Sequence, residues 1–343
     1  MNKLKKWLVI SLFISLMSGL AVLALTFDTG TIYGLLSIRP EYIIAAAGIR
    51  ILSYLVWGLR MRGMCRTLGY NVSVARSFEI VTSSTLAAAV TPSSMGGEPI
   101  RIHLLHMDKM PLGKASAVVL GERLLDGIVI LFLAPLSLYV LKGTMDDPGM
   151  DAVLAAAAFF LLGVLLLVLY AVWKPEATRG MTMFFVKRIA PFVGARTDAK
   201  LEHIMLKVDS ELENFHSSIF LFMKAEKRKG LLVGVLNTLL LWTVDFSILY
   251  VILLGLNQYP DPLVVIASQV LMLLLMAIPA TPGASGIAEF GATTIFSVFV
   301  SSSLLGITVV VWRALTFYMN LLVGGFVSFW ILKDTEIMKK FLR

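Results

Sequence analysis

Two apolar stretches of the chain are broken by the sequences TPSSMGGE at residues 91–98 and TPGASGIAE at residues 281–289. The apolar residues before these breaks, 77–90 and 263–278, number 14 and 16, whereas a helix that crosses a bilayer needs about 20. Proline and glycine are the residues that end helices. Each stretch therefore predicts a re-entrant hairpin, which enters the membrane and turns back, rather than a full crossing.

The composition around these breaks is that of a polytopic membrane protein. Of 343 residues, 58% are hydrophobic and only 15% are charged, so the chain has too little polar surface for a soluble globule of its size. The single cysteine, Cys65, excludes an intramolecular disulfide and a cysteine-cluster metal site. We interpret the net charge of +8 as a signal of membrane topology and not of nucleic-acid binding. No metal and no cofactor is expected.

Six stretches are long and apolar enough to cross the membrane. They are residues 7–27, 42–59, 115–141, 152–173, 231–256 and 304–332. Of the 30 lysines and arginines, 22 lie in the N-terminal residues, 60–76, 174–229 and 333–343, which marks these segments as cytoplasmic. The sequence thus predicts a multi-pass protein of the cell membrane, one transmembrane domain over residues 1–343 with both termini in the cytoplasm. Residues 174–229 are expected to form a cytoplasmic amphipathic segment.

The two breaks also indicate an internal repeat with an offset of 190 residues. Thr91-Pro92 corresponds to Thr281-Pro282, and Arg123 and Arg313 are separated by the same number of residues. Each unit consists of a span, a broken hairpin and a long span with an arginine inside it, over residues 42–141 and 232–332. The charge pattern predicts that the first unit begins on the outer side of the membrane and the second on the cytoplasmic side. The predicted fold is therefore all-α, with about six transmembrane helices and two oppositely oriented re-entrant hairpins in an inverted repeat, as in many transporters.

Several charged side chains fall inside the apolar spans, where each costs about 2.5–3.5 kcal/mol on insertion. They are Arg123, Arg313, Glu122, Asp126 and Asp245. We expect these groups to face protein or a water-filled cavity. By the predicted topology, the nearest partners of the two arginines are Glu98, Glu289 and Asp126.

The two arginines allow two interpretations. In the first, Arg123 and Arg313 hold the phosphate of an anionic headgroup, for which a planar guanidinium is well shaped. In the second, they are arginine–carboxylate clamps that close the hairpins onto the long spans. Arg50, inside the second span, is the next candidate ligand. The sequence contains no G-x-S-x-G, G-x-G-x-x-G, P-loop or D-x-D motif, so we predict no catalytic residue and do not expect an enzyme.

Three groups of residues resemble the signatures of a known family, the transmembrane region of lysylphosphatidylglycerol synthases, which are also described as flippase-like membrane proteins. The groups are Thr91-Pro92 to Arg101 with Gly121 to Asp126, Pro279 to Pro282-Gly283 with Gly286 and Glu289, and Trp312-Arg313 with Phe317-Tyr318. Ala284 and Ser285 stand where glycines are common in the family. The resemblance implies lipid translocation or glycolipid handling. Because the soluble aminoacyl-transfer domain of the full synthases is missing from this sequence, lipid aminoacylation by this chain alone is not expected.

The leading hypothesis is a lipid flippase that moves polar or anionic phospholipids or glycolipids, in which Glu98 and Glu289 shape the hairpins or meet a cationic headgroup. The candidate substrate-binding residues are Arg123, Arg313, Glu98, Glu289, Glu122, Asp126 and Arg101. The expected partners are membrane lipids and a separate lipid-modifying enzyme, with no nucleic acid. The alternatives are a membrane enzyme or enzyme subunit acting on phospholipid- or polyprenyl-linked substrates, and a secondary transporter of a small soluble anion.

Overall fold

The computed structural model describes residues 3–91, 96–142, 228–276, 281 and 283–334, with isolated positions between 159 and 180. In this part of the chain the structure is helical and contains no β-strand. The helices are α1 Lys3–Thr26, α2 Thr29–Leu36, α3 Pro40–Thr67, α4 Val74–Ala89, α5 Gly97–Met107, α6 Leu112–Lys142, α7 Arg228–Gly255, α8 Pro262–Met276, α9 Ile287–Phe296, α10 Ser302–Arg313 and α11 Met319–Asp334, the last two joined by a π-helical turn at Ala314–Tyr318.

The long helices coincide with the predicted spans. Helices α3, α6 and α7 and the continuous α10–α11 rod are long and apolar enough to cross a membrane, and α1 with α2 makes a fifth if this bent pair counts as one span. These helices cover the predicted spans at residues 7–27, 42–59, 115–141, 231–256 and 304–332. The predicted span 152–173 and the segment 174–229 lie outside the described residues, apart from isolated positions. The chain is a multi-pass membrane protein.

The end of the second span was predicted wrongly. The sequence predicts Arg60 in a cytoplasmic loop, but α3 continues to Thr67 and buries Arg60 completely. The helix can continue through this charge because Glu122 and Asp126 of α6 bind the guanidinium. Counting apolar residues ended the span at residue 59, since the compensating carboxylates are more than 60 positions away.

A bend of 113° between α1 and α2 was not foreseen. Asp28 lies at the bend and caps α2, because its carboxylate accepts a hydrogen bond from the Thr31 N–H at 2.8 Å. The other carboxylate oxygen of Asp28 accepts from the Ser303 hydroxyl at 2.6 Å. This contact ties the bend to the start of α10, along which α1 packs.

The first broken segment turns back on itself, and its break contacts the break of the second segment. The Arg76 guanidinium donates to both oxygens of Asp108, at 2.9 and 3.0 Å, so the chain after α5 returns to the start of α4. Just beyond the other end of α4, the Gly283 N–H donates to the Thr91 carbonyl oxygen at 3.3 Å. Gly283 has a φ of +58°, and a Cβ there would lie 2.6 Å from the Ala89 carbonyl oxygen. Only glycine fits this approach of the two breaks.

The two units have similar helix boundaries and similar helix packing. Helices α5 and α9 begin 190 residues apart, at Gly97 and Ile287, and α6 and α10 do so as well, at Leu112 and Ser302. Helix α3 packs along α7, while α4 packs on α11 and α8 packs on α6. The α4–α11 contact is close because of Gly324, where a Cβ would lie 2.6 Å from the Thr82 carbonyl oxygen. Each short broken helix therefore rests on the last long helix of the other unit.

Candidate functional site

A cavity of about 180 Å³ lies where the two broken segments meet the long helices. This volume is more than ten times the roughly 10–15 Å³ that one water molecule needs. Its walls come from α3, α4, α7, α8, α10, the π-helical turn, α11 and the second break. The lining residues are Arg50, Ala88, Ala89, Asp245, Phe246, Gln269, Met272, Leu273, Met276, Gly283, Trp312, Arg313, Thr316, Phe317 and Asn320. We call this space the central cavity.

Arg50 of α3 supplies one charged wall of the central cavity. Its guanidinium donates to Asp245 Oδ1 at 2.5 Å and to Asn320 Oδ1 at 2.8 Å. It also stands over the ring of Tyr54, 4.7 Å from the ring centre, where a cation is attracted to the aromatic face. These contacts join α3 to α7 and α11 and hold the guanidinium in one position.

Arg313, at the end of α10, supplies the second guanidinium. Its Nε donates to Glu289 Oε1 at 2.8 Å, and the ring of Phe317 lies 4.2 Å from its central carbon. The other oxygen of Glu289 accepts from the Gly286 N–H at 2.6 Å and so caps α9. Ser15 of α1 donates to Glu289 Oε1 at 2.6 Å. Both carboxylate oxygens of Glu289 are thus occupied by the protein itself.

Two buried donors at the central cavity have no acceptor. Within the described residues, neither Arg50 Nε nor Trp312 Nε1 has a hydrogen-bond partner, although both atoms are shielded from solvent. Buried N–H groups of native proteins are almost always paired, so each of these two retains an unused hydrogen bond to donate. The lining side chains also carry two guanidinium groups and only one carboxylate, that of Asp245. The central cavity is therefore suited to an anionic group with several oxygen acceptors.

A second set of charges lies between α3, α5, α6 and α7. Arg60 binds both oxygens of Asp126, at 2.5 and 3.2 Å, and Glu122 Oε1 at 3.1 Å. Arg101 binds the other Glu122 oxygen at 2.6 Å and stands over the ring of Trp57. The Trp242 indole N–H also donates a hydrogen bond to Asp126 Oδ1, at 3.1 Å.

The pair of Arg123 and Glu98 borders this set and adds one charge of each sign. The two side chains are in direct contact, and that of Arg123 is 42% exposed. Together with the preceding four groups, they make three guanidinium groups and three carboxylates, which we call the six-charge cluster. Because its charges compensate one another, the cluster is suited to holding helices together. Arg123 does not line the central cavity.

The structure thus distributes the predicted site residues over two places. Arg313 lines the central cavity and binds Glu289, which does not line it, whereas Arg123, Glu98, Glu122, Asp126 and Arg101 belong to the six-charge cluster. The pairs Arg123–Glu98 and Arg313–Glu289 are the nearest partners expected from the topology. Within the described residues, no group of three or more histidine, cysteine, aspartate or glutamate side chains could hold a metal ion.

Sequence reasoning missed several residues of these sites. Asn320, Trp312 and Gln269 line the central cavity, and Arg60 is the centre of the six-charge cluster. For Arg60 a signal existed, because two buried carboxylates on α6, four residues apart, require more positive charge than Arg101 alone supplies. For Asn320, a polar side chain inside the last apolar span was the available signal.

The fold and these motifs define a family of membrane proteins. The chain belongs to the family described as the lysylphosphatidylglycerol synthase TM region, whose model matches residues 8–324. Among its relatives is a UPF0104 membrane protein of Archaeoglobus fulgidus, 31% identical over 82% of this chain and 84% of that protein. A UPF0104 membrane protein of Methanocaldococcus jannaschii is 25% identical over 96% of both chains.

A further relative has an additional region. Glycosyltransferase AglD of Haloferax volcanii is 27% identical over 83% of this chain, but the match covers only 47% of the glycosyltransferase. Similarity to this chain is therefore confined to about half of that protein.

Proposed function

We propose that this protein moves lipids with phosphate-bearing headgroups from one leaflet of the membrane to the other, through the central cavity. The observation that carries the proposal is the cavity itself, bounded by the end of α4 and by the second helix break and lined by Arg50 and Arg313. A phosphate offers several oxygen acceptors. The cavity offers two guanidinium groups held in place by their partners, which match such an anion in charge and in hydrogen bonding.

The proposal differs in one residue from the hypothesis drawn from sequence. Arg50 takes the place given to Arg123 as the second headgroup ligand, because Arg50 lines the central cavity together with Arg313. Arg123 is assigned with Glu98 to the six-charge cluster, where the charges are already balanced. Asp245, bound to Arg50, is the group in the cavity that meets a hydroxyl or amine of the headgroup.

We also propose that the two units form an inverted repeat with re-entrant hairpins and that both termini are cytoplasmic. The common offset of 190 residues and the exchanged packing of α4 on α11 and α8 on α6 support a two-fold relation between the units. The return of the chain from α5 to the start of α4 supports re-entry of the first hairpin. In such a repeat, rocking of one unit against the other opens a central site alternately to either side.

Cysteine labelling tests this arrangement at four exposed positions that frame the hairpins. In a Cys65→Ala background, Asn71→Cys and Met107→Cys are expected to react with an impermeant thiol reagent only from the cytoplasmic side. Asp261→Cys and Ser301→Cys are expected to react only from outside, because the positive-inside pattern opposes the two hairpins. Labelling of positions 71 and 107 from opposite sides would show a crossing instead of re-entry, and labelling of all four from one side would exclude inversion.

The transport proposal is tested with the purified chain in vesicles that contain a fluorescent phosphatidylglycerol. Exposure of labelled lipid from the inner leaflet to an impermeant quencher is expected to be much faster than in protein-free vesicles. A fluorescent diacylglycerol with an uncharged sugar and no phosphate is expected to move at least tenfold more slowly, since it lacks the anion that both arginines bind. Movement of the phospholipid no faster than without protein would reject the proposal.

A second candidate function is that of a membrane subunit which presents a phospholipid- or polyprenyl-linked substrate to a separate enzyme. It is favoured by the partial match to a glycosyltransferase, about half of which has no counterpart in this chain. The same cavity serves this role, since polyprenyl-linked sugars also carry phosphate. Stable co-purification with an enzyme, together with no lipid movement by the chain alone, would favour this candidate over the first.

A further inference from the structure

The charged groups at the central cavity balance one another before any ligand enters. Among the described residues that line it, Arg50 and Arg313 are positive and Asp245 is negative. Arg313 is also bound by Glu289, whose carboxylate supplies the second negative charge. The donors of the two guanidinium groups suit a phosphate, but a phosphate diester adds one negative charge inside the protein, where an uncompensated charge is costly. One positive charge must therefore enter with the anion.

Asp245 is the carboxylate placed to take up this charge as a proton. It lines the cavity, and its side chain is 26% exposed. Within the described residues, the two hydrogen bonds that it accepts, from Arg50 at 2.5 Å and from Ser53 at 2.7 Å, both end on Oδ1, which leaves Oδ2 able to hold a proton. Glu289 differs, because its side chain is 1% exposed and hydrogen bonds occupy both of its oxygens.

The groups that surround Asp245 in the described part of the chain are already committed. Helix α3 brings Arg50 and Tyr54, and the Tyr54 hydroxyl donates to the Asn320 side chain of α11 at 2.6 Å. Helix α10 brings Arg313. The charged groups in the middle of α6 belong to the six-charge cluster, where guanidinium groups bind both carboxylates, and α8 contains no titratable side chain. Among these groups, Asp245 is thus the carboxylate that faces the cavity.

We infer that an anionic phosphate enters the central cavity together with one proton, which Asp245 takes up. The inference rests on the proposed function and deepens it, because it states how binding at the same site is coupled to pH. The ionised carboxylate competes with the phosphate for the Arg50 guanidinium. The protonated carboxyl group competes no longer, and its O–H can donate to a phosphate oxygen. The proton cancels the charge of the anion, so the cavity stays neutral.

The coupling depends on the net charge of the headgroup. A zwitterionic headgroup brings its own positive charge, which the ionised Asp245 carboxylate can meet, and needs no proton. An anionic headgroup brings none. A pH difference across the membrane would therefore drive the movement of anionic lipids in particular, because each of them crosses with a proton.

The experiment compares two short-chain lipids, dihexanoyl phosphatidylglycerol, which is a monoanion at neutral pH, and dihexanoyl phosphatidylethanolamine, which has no net charge. Calorimetric titration of the unchanged chain in two buffers of different ionisation enthalpy counts the protons taken up on binding. Phosphatidylglycerol is expected to bind with uptake of about one proton, so that its Kd rises about tenfold per pH unit while the free carboxylate is ionised. Phosphatidylethanolamine is expected to bind without uptake.

Three results would contradict this scheme in different ways. Binding of phosphatidylglycerol without proton uptake would overturn the inference and leave the headgroup site intact. Equal uptake with both lipids would also overturn it, because the proton would then not compensate the phosphate. No binding of phosphatidylglycerol would reject the headgroup site itself and with it the proposed function.

Neutral replacements of Asp245 identify the residue that takes up the proton. Asp245→Asn is expected to bind phosphatidylglycerol with no proton uptake and with a Kd that does not change with pH. Asp245→Ser, which keeps a hydroxyl next to Arg50, is expected to behave in the same way and is the second variant if the first does not fold. The matched control is Asp261→Asn at the start of α8, where the amide oxygen can still accept from the Leu263 N–H and proton uptake is expected to persist. Proton uptake by either Asp245 variant would overturn the assignment.

Discussion

Exchanging Arg313 and Glu289 together for glutamine is expected to give a folded, membrane-inserted protein that moves fluorescent phosphatidylglycerol ten- to 100-fold more slowly. The two amides can hydrogen-bond to each other, so that no buried charge is left without a partner. The central cavity, however, loses a guanidinium, and a hydrogen bond to a charged group is worth about 1.5–3 kcal/mol, which corresponds to that change in rate. The measurement is the quencher assay in vesicles, combined with thermal unfolding in detergent.

Single changes of Arg313 separate its two roles. Arg313→Gln alone strands the buried Glu289 carboxylate and is expected to lower the free energy of unfolding by about 3–5 kcal/mol. Arg313→Lys keeps the charge without the planar fork and should retain part of the transport activity. Normal transport by a stable Arg313→Gln/Glu289→Gln variant would reject Arg313 as a headgroup ligand and leave it as a clamp.

The matched control is the equivalent pair of the other unit. Arg123→Gln with Glu98→Gln removes the same chemical groups, but Arg123 does not line the central cavity, so transport close to that of the unchanged chain is expected. An equal loss of transport in both double variants would instead favour a headgroup held by Arg123 and Arg313, which was the hypothesis from sequence.

Replacing Arg60 with methionine is expected to cause a loss of stability of about 3–5 kcal/mol, the cost of breaking a buried ion pair by removing one partner. Asp126 would keep only the indole N–H of Trp242, and Glu122 would keep only Arg101. Unfolding is followed by circular dichroism during titration with a denaturing detergent. Arg62→Met is the control on the same helix, because Arg62 donates to the Val72 carbonyl and not to a carboxylate.

A second change tests the cause of that loss. Asp126→Asn combined with Arg60→Met removes one charge of each sign, and the double variant is expected to recover much of the stability lost by Arg60→Met. If Arg60→Met unfolds no more easily than Arg62→Met, Arg60 is not the centre of a buried cluster, and the loop assignment from sequence would be restored.

Local sequence signals account for most of the helix pattern. The proline and glycine breaks, the repeat offset and the partners of Arg123 and Arg313 follow from short motifs and their spacing. Which helix faces meet one another does not follow, because in a membrane the lipid-facing and the protein-facing surfaces of a helix are both apolar. Arg50 is a candidate ligand from sequence, but its position beside Arg313 and Asn320 at one cavity is not predicted, because no motif records how their helices pack together.

Arg60 illustrates a different limit of sequence reasoning. Four arginines between residues 60 and 76 resemble a cytoplasmic loop, and counting apolar residues ends the span before the first of them. The guanidinium of Arg60 is stable inside the protein only because carboxylates from another helix reach it. A long-range ion pair of this kind lets an arginine lie inside a helix where the local charge pattern predicts a loop.

The contact between the two helix breaks has a thermodynamic consequence. Among the residues that the structure describes, one main-chain hydrogen bond, from the Gly283 N–H to the Thr91 carbonyl oxygen, joins them, and such a bond contributes a net of about 0.5–1.5 kcal/mol. That bond alone would leave the breaks apart in roughly 7–30% of molecules at equilibrium. A ligand that prefers one arrangement by only 2–3 kcal/mol is then enough to reverse the populations. Separation of the two breaks is in this way within reach of the binding energy of a single ligand.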